Sequence, residues 1–230
     1  MVRNQKFRVF RQGDSAVVLE YEGEPSYEIN GCVVFVGECV RVQNHTGVLD
    51  VVEGLRTVTI FFDPLATDVQ RIVSALENAA GTQSSAEKIG RELTVSVCYG
   101  GLYGPDLAEV AEYLCCSEEE VIARHQKPVY RVYMIGFLPG FPYMGASDSE
   151  VSAPRKEYPR LRVEKGSVGI ADNFTGVYPV DSPGGWHIIG RCLVDLFDLD
   201  APDPFFFHVG DNVKFKSVTE DEYCSFRGKK

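Results

Sequence analysis

The spacing of apolar positions divides the chain into short elements. SAVVLEY (15–21) is apolar and β-branched, follows Gly13-Asp14, and predicts a strand. Past Pro25-Ser26, Ile29, Val33, Val36 and Val40 recur at steps of four, three and four, which is one face of a helix. Their Val content also allows a strand; the helix is preferred. VLDVVEG (48–54) and TVTIFF (57–62) read as two strands, the second stopped by Asp63-Pro64. Asp68 is placed to cap a helix carrying Val69, Ile72, Val73 and Leu76 and ended by Gly81. A small polar stretch, TQSSAEKIG (82–90), reads as a linker, and ELTVSVCY (92–99) as a further strand. The order is β-α-β-β-α-β, which predicts a ferredoxin-like domain over 1–100 in an α+β protein.

The texture changes after GGLYG (100–104). Pro105-Asp106 starts a helix through Leu114, and Ser117 with Glu120 forms a capping box for EEEVIARHQ, which stops before Pro128. From 129 onward no further strong helix is expected. Short strands alternate with Gly and Pro at 129–135, 166–171, 176–180, 186–197 and 211–218. That pattern predicts a closed or partly closed β-barrel over 101–230.

Composition narrows the functional classes. Of 230 residues, 44% are hydrophobic and 24% charged, and the net charge is −10. Phosphate neutralisation needs the opposite sign, so neither a nucleic acid nor an acidic membrane surface is an expected partner. No apolar signal core opens MVRNQKFRVFRQGDS, which makes the cytoplasm the expected location. The seven Cys form no C-x-x-C pair and read as reduced, mostly buried small hydrophobes. His45, His125, His187 and His208 lack local ligand spacing, so no metal is assigned; a metal site would have to assemble from distant residues. P-loop, G-x-G-x-x-G, H-E-x-x-H and G-x-S-x-G signatures are absent.

Three stretches carry candidate chemistry. MIGFLPGFPYMG (134–145) fixes φ at Pro139 and Pro142 and frees it at Gly136, Gly140 and Gly145. It reads as a specified loop, not a strand. Phe137, Phe141, Tyr143 and Met144 then either line a pocket or plug the barrel rim. Between Arg155 and Lys165 lie five cations (Arg155, Lys156, Arg160, Arg162, Lys165) and two acids. Arg forks bind carboxylate or phosphate, and Arg160 and Arg162 would share a face of an extended segment. A solvated loop with surface ion pairs is the plainer reading. In YPVDSPGGWHIIGR (178–191), the N–H groups of Gly184 and Gly185 could form an anion nest, with Asp181 and Ser182 as polar or basic groups. A hairpin turn beside a core Trp186 is the alternative.

These stretches resemble the KipI / allophanate hydrolase subunit 1 family. Its members are also known as the B component of the prokaryotic ATP-dependent 5-oxoprolinase, and they are related to the carboxyltransferase domain of urea carboxylase. RQGDSAVVLEY, FFDP and VCYGGLYGPDLAEVAEYL match earlier landmarks, so the resemblance covers nearly the whole chain. It implies an N-terminal α/β domain and a C-terminal cyclophilin-like β-barrel. It implies two partners, the C component, which is like allophanate hydrolase subunit 2, and a LamB/YcsF-type protein. Together they open 5-oxoproline to glutamate at the expense of ATP with Mg. No biotinylation site is present on this chain. KipI-type members instead inhibit a sensor histidine kinase, and a carboxyltransferase or allophanate hydrolase role is a further alternative. Three positions depart from the family pattern: Ala153 for Thr, Phe174 for Gln and His187 for Arg. The expected anion-binding set is Arg155, Arg160 and Arg162, with Ser182, Gly184 and Gly185 as the donor loop. Phe137, Pro139, Phe141, Tyr143 and Trp186 are the expected pocket wall. No catalytic residue is assigned; the candidates are Arg160, Ser182 and Asp181. His125 is expected to be structural.

Overall fold

The structure is a computed structural model describing residues 5–82, 90–146 and 148–227. Most of the expected linker, 83–89, lies outside the described residues. The chain forms two compact units, Met1–Ile89 and Gly90–Lys230.

The first unit runs β1 (Phe7–Arg11), β2 (Ala16–Tyr21), α1 (Tyr27–Gln43), β3 (Val48–Glu53), β4 (Thr57–Phe62) and α2 (Val69–Gly81). Its sheet has the order β1-β2-β4-β3, with every neighbouring pair antiparallel. The preferred helix is formed: the Ser26 hydroxyl accepts the Ile29 N–H at 3.2 Å, and Ile29, Val33, Val36 and Val40 are all buried. Asp68 caps α2 by accepting the Gln70 N–H at 3.0 Å. The unit is ββαββα, not the expected βαββαβ. FRVFR forms an edge strand on β2, and the strand expected at 92–99 pairs elsewhere.

That strand is β5 (Glu92–Tyr99), the first element of the second unit. There follow α3 (Leu107–Tyr113), α4 (Glu118–Gln126), β6 (Tyr130–Ile135), β7 (Pro142–Gly145), β8 (Arg160–Val163), β9 (Ser167–Ala171), β10 (Phe174–Val177), β11 (Ser182–Gly184), β12 (His187–Cys192), β13 (Asn212–Ser217) and α5 (Glu220–Arg227). Seven strands close a barrel in the order β10-β7-β6-β13-β5-β12-β9, and β8 and β11 form a separate ribbon. The barrel closes because β5 pairs parallel with β13, from Glu92↔Asn212 to Val97↔Ser217, and antiparallel with β12. The compact units therefore divide at 89/90 rather than after residue 100. Two expectations change here: α5 is a helix beyond 129, and residues 142–145 of the loop stretch are the strand β7. Of the seven Cys, only Cys32, Cys98 and Cys192 are buried.

The barrel core is apolar, with Val97, Val132, Met144, Val168, Ile170, Ile189, Val213 and Phe215 all buried. One polar chain crosses it. Thr175 Oγ1 donates to the Gly169 carbonyl at 3.1 Å, so it accepts from His125 Nε2 at 2.9 Å. His125 Nδ1 then accepts the Tyr99 hydroxyl at 2.8 Å. Both ring nitrogens are committed, and burial pulls the imidazole pKa down to about 3. This is a structural role, held neutral.

Candidate functional site

The three stretches meet on the second unit. Gly136–Phe141 folds as two tight turns in series. The Leu138 N–H reaches the Gly136 carbonyl at 2.8 Å, closing a γ-turn around Phe137 at φ 68°. A positive-φ γ-turn is a strained conformation for a residue with a Cβ. The Phe141 N–H then reaches the Leu138 carbonyl at 3.0 Å, with Pro139 and Gly140 (φ 82°) at the two central positions. That is the residue pattern of a type II turn.

The loop's aromatic side chains divide by burial. Phe141 is 1% exposed and is the hub of a cluster. Tyr143 and Tyr178 lie at 5.1 Å, Trp186 at 5.3 Å and Phe137 at 5.6 Å, all edge to face. Edge-to-face pairing suits the ring quadrupoles. Phe141 and Trp186 are core, so they support the wall rather than face outward. Phe137 is 61% exposed, Pro139 is exposed and Tyr143 is half-buried. The loop is therefore a plug on its inner side and an aromatic rim on its outer side.

The cationic stretch is also sorted by the fold. Arg160 is bidentate to Asp106, at 2.7 and 2.5 Å. Lys156 bridges Asp106 at 3.2 Å and Glu109 at 2.5 Å. Arg162 pairs with Asp181 at 2.7 Å on the surface, and Lys165 with Asp195 at 3.0 Å. Arg155 alone among the five forms no ion pair with any described residue, and it is exposed. Its charge acts on two phenols. Burial raises the Tyr143 phenol and Arg155 opposes the rise. Burial pushes Tyr178 up to about 12, opposed by the Trp186 N–H, Arg155 and Arg160. A guanidinium without an ion pair, acting on two phenols of the aromatic cluster, is suited to a small anion with a flat or apolar body.

The Gly-rich turn differs from both expectations. Ser182 pairs with Val163 and Gly184 with Arg160, so the segment is a strand against β8, neither a hairpin turn nor a nest. Neither Gly184 nor Gly185 has positive φ, which a nest requires. Gly184 is needed for closeness: a Cβ there would collide with the Tyr178 hydroxyl. The Gly185 carbonyl accepts the Lys156 N–H at 2.9 Å. The buried Ser182 hydroxyl is turned to its neighbour, the Pro183 carbonyl, at 3.1 Å. Asp181 is held in its ionised form by the Lys165 backbone N–H and then by Arg162, which leaves it poorly placed as a base.

Sequence reasoning missed Asp106, the residue that organises this region. The sequence places it at a helix start, yet its side chain makes no cap bond to α3. Its buried carboxylate turns back to accept the Ile188 N–H at 2.7 Å as well as Arg160 and Lys156. Burial works to raise its pKa; Arg160, the Ile188 N–H and Lys156 outweigh that and hold it below the usual range. Tyr178 was missed as well. Gly184, whose missing side chain makes room for the Tyr178 ring, is the one local signal of a large neighbour.

The model of the carboxyltransferase domain, subdomain C and D, matches residues 7–207. Among curated relatives, the B component of 5-oxoprolinase from Bacillus subtilis (strain 168) is 33% identical, over 96% of this chain and 97% of its own. The corresponding 5-oxoprolinase protein of Haemophilus influenzae is 39% identical, over 76% of this chain and 82% of its own. Among solved structures, TTHA0988 superposes with a TM-score of 0.78 at 33% identity, over 93% of this chain. This chain spans about two fifths of that longer protein, 40%. The chain belongs to the family of the carboxyltransferase domain, subdomains C and D, alongside proteins named as the B component of 5-oxoprolinase.

Proposed function

We propose that the chain is the B component of an ATP-dependent 5-oxoprolinase that opens the 5-oxoproline lactam to L-glutamate. The single observation behind this reading is Arg155, the one cation of its stretch with no ion pair among the described residues, whose charge acts on Tyr143 and Tyr178. Its fork would hold the carboxylate of a small lactam, and the aromatic rim would cover the ring. The cyclophilin-like reading of the barrel belongs to the same proposal. So does the assembly in the cytoplasm with a C component, like allophanate hydrolase subunit 2, and a LamB/YcsF-type protein. No phosphate-binding motif is present in the sequence, so ATP and Mg would be held together with the partner proteins.

The test is reconstitution of the three components and measurement of ATP hydrolysis dependent on 5-oxoproline. Loss of a charge-assisted contact is worth about 1.5–3 kcal/mol, so Arg155→Ala is expected to lower kcat/KM by roughly ten- to a hundredfold. Unchanged turnover removes Arg155 from the site. A second reading is favoured by Phe137, an exposed aromatic on a strained turn, which suits docking onto a sensor histidine kinase. On that reading Phe137→Ala abolishes kinase inhibition, and 5-oxoproline has no effect on ATP turnover. A carboxyltransferase or allophanate hydrolase role is the remaining alternative, consistent with the matched family description.

A further inference from the structure

We propose that Asp106, Glu109 and His187 form a binding site for a divalent metal ion of the Mn2+ class, which takes the place of the Lys156 ammonium. The inference stands apart from the 5-oxoprolinase reading and does not depend on it. Glu109 lies three residues past Asp106, where an α-helical turn puts neighbours on one face. His187 opens β12 and faces them. One donor atom from each of the three lies within 4.8 Å of the others.

The histidine is the independent observation. His187 is 7% exposed. Its Nε2 donates to the Pro154 carbonyl at 2.9 Å, which fixes the tautomer and leaves a lone pair on Nδ1. That buried Nδ1 accepts no hydrogen bond from any described residue, and it lies 3.8 Å from Glu109 Oε1. An orphaned buried acceptor is costly. An imidazole tied at one nitrogen to a backbone carbonyl, with the other turned to carboxylates, is the arrangement of a ligating His.

Lys156 now supplies the cation. Its Nζ lies 3.2 Å from Asp106 Oδ1 and 2.5 Å from Glu109 Oε2, yet leaves His187 Nδ1 unserved. The side chain is a flexible stem with a point charge, so it can leave. Its departure frees one lone pair on Asp106 Oδ1, whose other bond goes to Arg160. Asp106 Oδ2 stays saturated by Arg160 and the Ile188 N–H. The metal then gains one Asp oxygen, the exposed Glu109 carboxylate and the unserved imidazole nitrogen. Two carboxylates and one imidazole suit Mn2+, with remaining positions taken by water. Lys156 therefore competes with the metal, which gives the site its test.

The experiment is Mn2+ titration of the full chain without nucleotide, read from the electron paramagnetic resonance signal of free Mn2+. One ion per chain is expected to disappear from the free pool. His187→Gln and Glu109→Gln are each expected to weaken binding by at least about tenfold. Lys156→Ala is expected to tighten it by roughly tenfold, because the competing ammonium is gone. Circular dichroism melting checks each variant for folding. Should His187→Gln not fold, the exposed Glu109→Gln and Lys156→Ala carry the test. Wild-type affinity in Glu109→Gln, unchanged or weaker binding in Lys156→Ala, or no bound Mn2+ in the wild type would each overturn the proposal.

Discussion

Gly184 shows how little room the site leaves at the level of one residue. Its φ is ordinary, so a side chain is excluded by the Tyr178 ring rather than by backbone strain. Gly184→Ala is expected to destabilise the protein by about 1–3 kcal/mol, the usual range for overpacking. Urea unfolding measures it, and adding Tyr178→Phe should recover part of the loss, since the tightest clash is with the hydroxyl oxygen. The same scale explains what is legible in the candidate site and what is not. Arg residues announce themselves as cations, but a sequence does not say which of them will find a carboxylate. Arg160 is claimed by Asp106, a residue 54 positions away. Arg155 is distinguished only by the absence of such a partner. The aromatic loop is legible as a loop, because Pro139 and Gly140 dictate their turn locally. Which of its rings are buried is not, since that depends on Tyr178 and Trp186.

At the level of elements, His125 joins three of them. It sits on α4 and ties to β5 through Tyr99 and to β10 through Thr175. Its pKa is about 3 when folded, against 6.5 for the free side chain. Between those values the unfolded chain binds more protons. Stability from this group is therefore complete above about pH 6.5 and falls as pH drops, by at most roughly 1.4 kcal/mol per pH unit. Urea midpoints at about pH 7 and pH 4.5 should show a smaller acid loss in His125→Gln than in the wild type. Equal losses would exclude this histidine as a source of acid sensitivity. Helices such as α1 and α2 are legible because period, cap and stop agree within one segment. β1 is not, since FRVFR breaks alternation at Val9-Phe10 and carries two Arg of its own, Arg8 and Arg11. α5 carries three acids in its first turn and, among its described side chains, only Tyr223 as a buried anchor, a weak pattern.

For the molecule as a whole, the largest correction concerns one strand. ELTVSVCY reads as a strand, but a strand's own residues do not name its partner. Proximity in sequence argues for the first sheet; six register pairs with β13 place it in the barrel. A fragment of residues 90–230 is therefore expected to unfold cooperatively on its own. One of residues 101–230 lacks β5, leaves β12 and β13 with open edges, and is expected to aggregate. Size-exclusion chromatography and calorimetry of the two fragments check this, and a well-folded 101–230 fragment would contradict the topology.

The seam between β5 and β13 also bears on how the protein is made. Its paired residues, such as Glu92 and Asn212, are far apart in the chain, so ring closure must wait until the ribosome has released residues 212–217. The opening ββαββα segment contains all its own pairing partners and can mature much earlier. Nascent β5 meanwhile has no companion strand to receive it, which makes this short stretch a natural client for chaperones during translation.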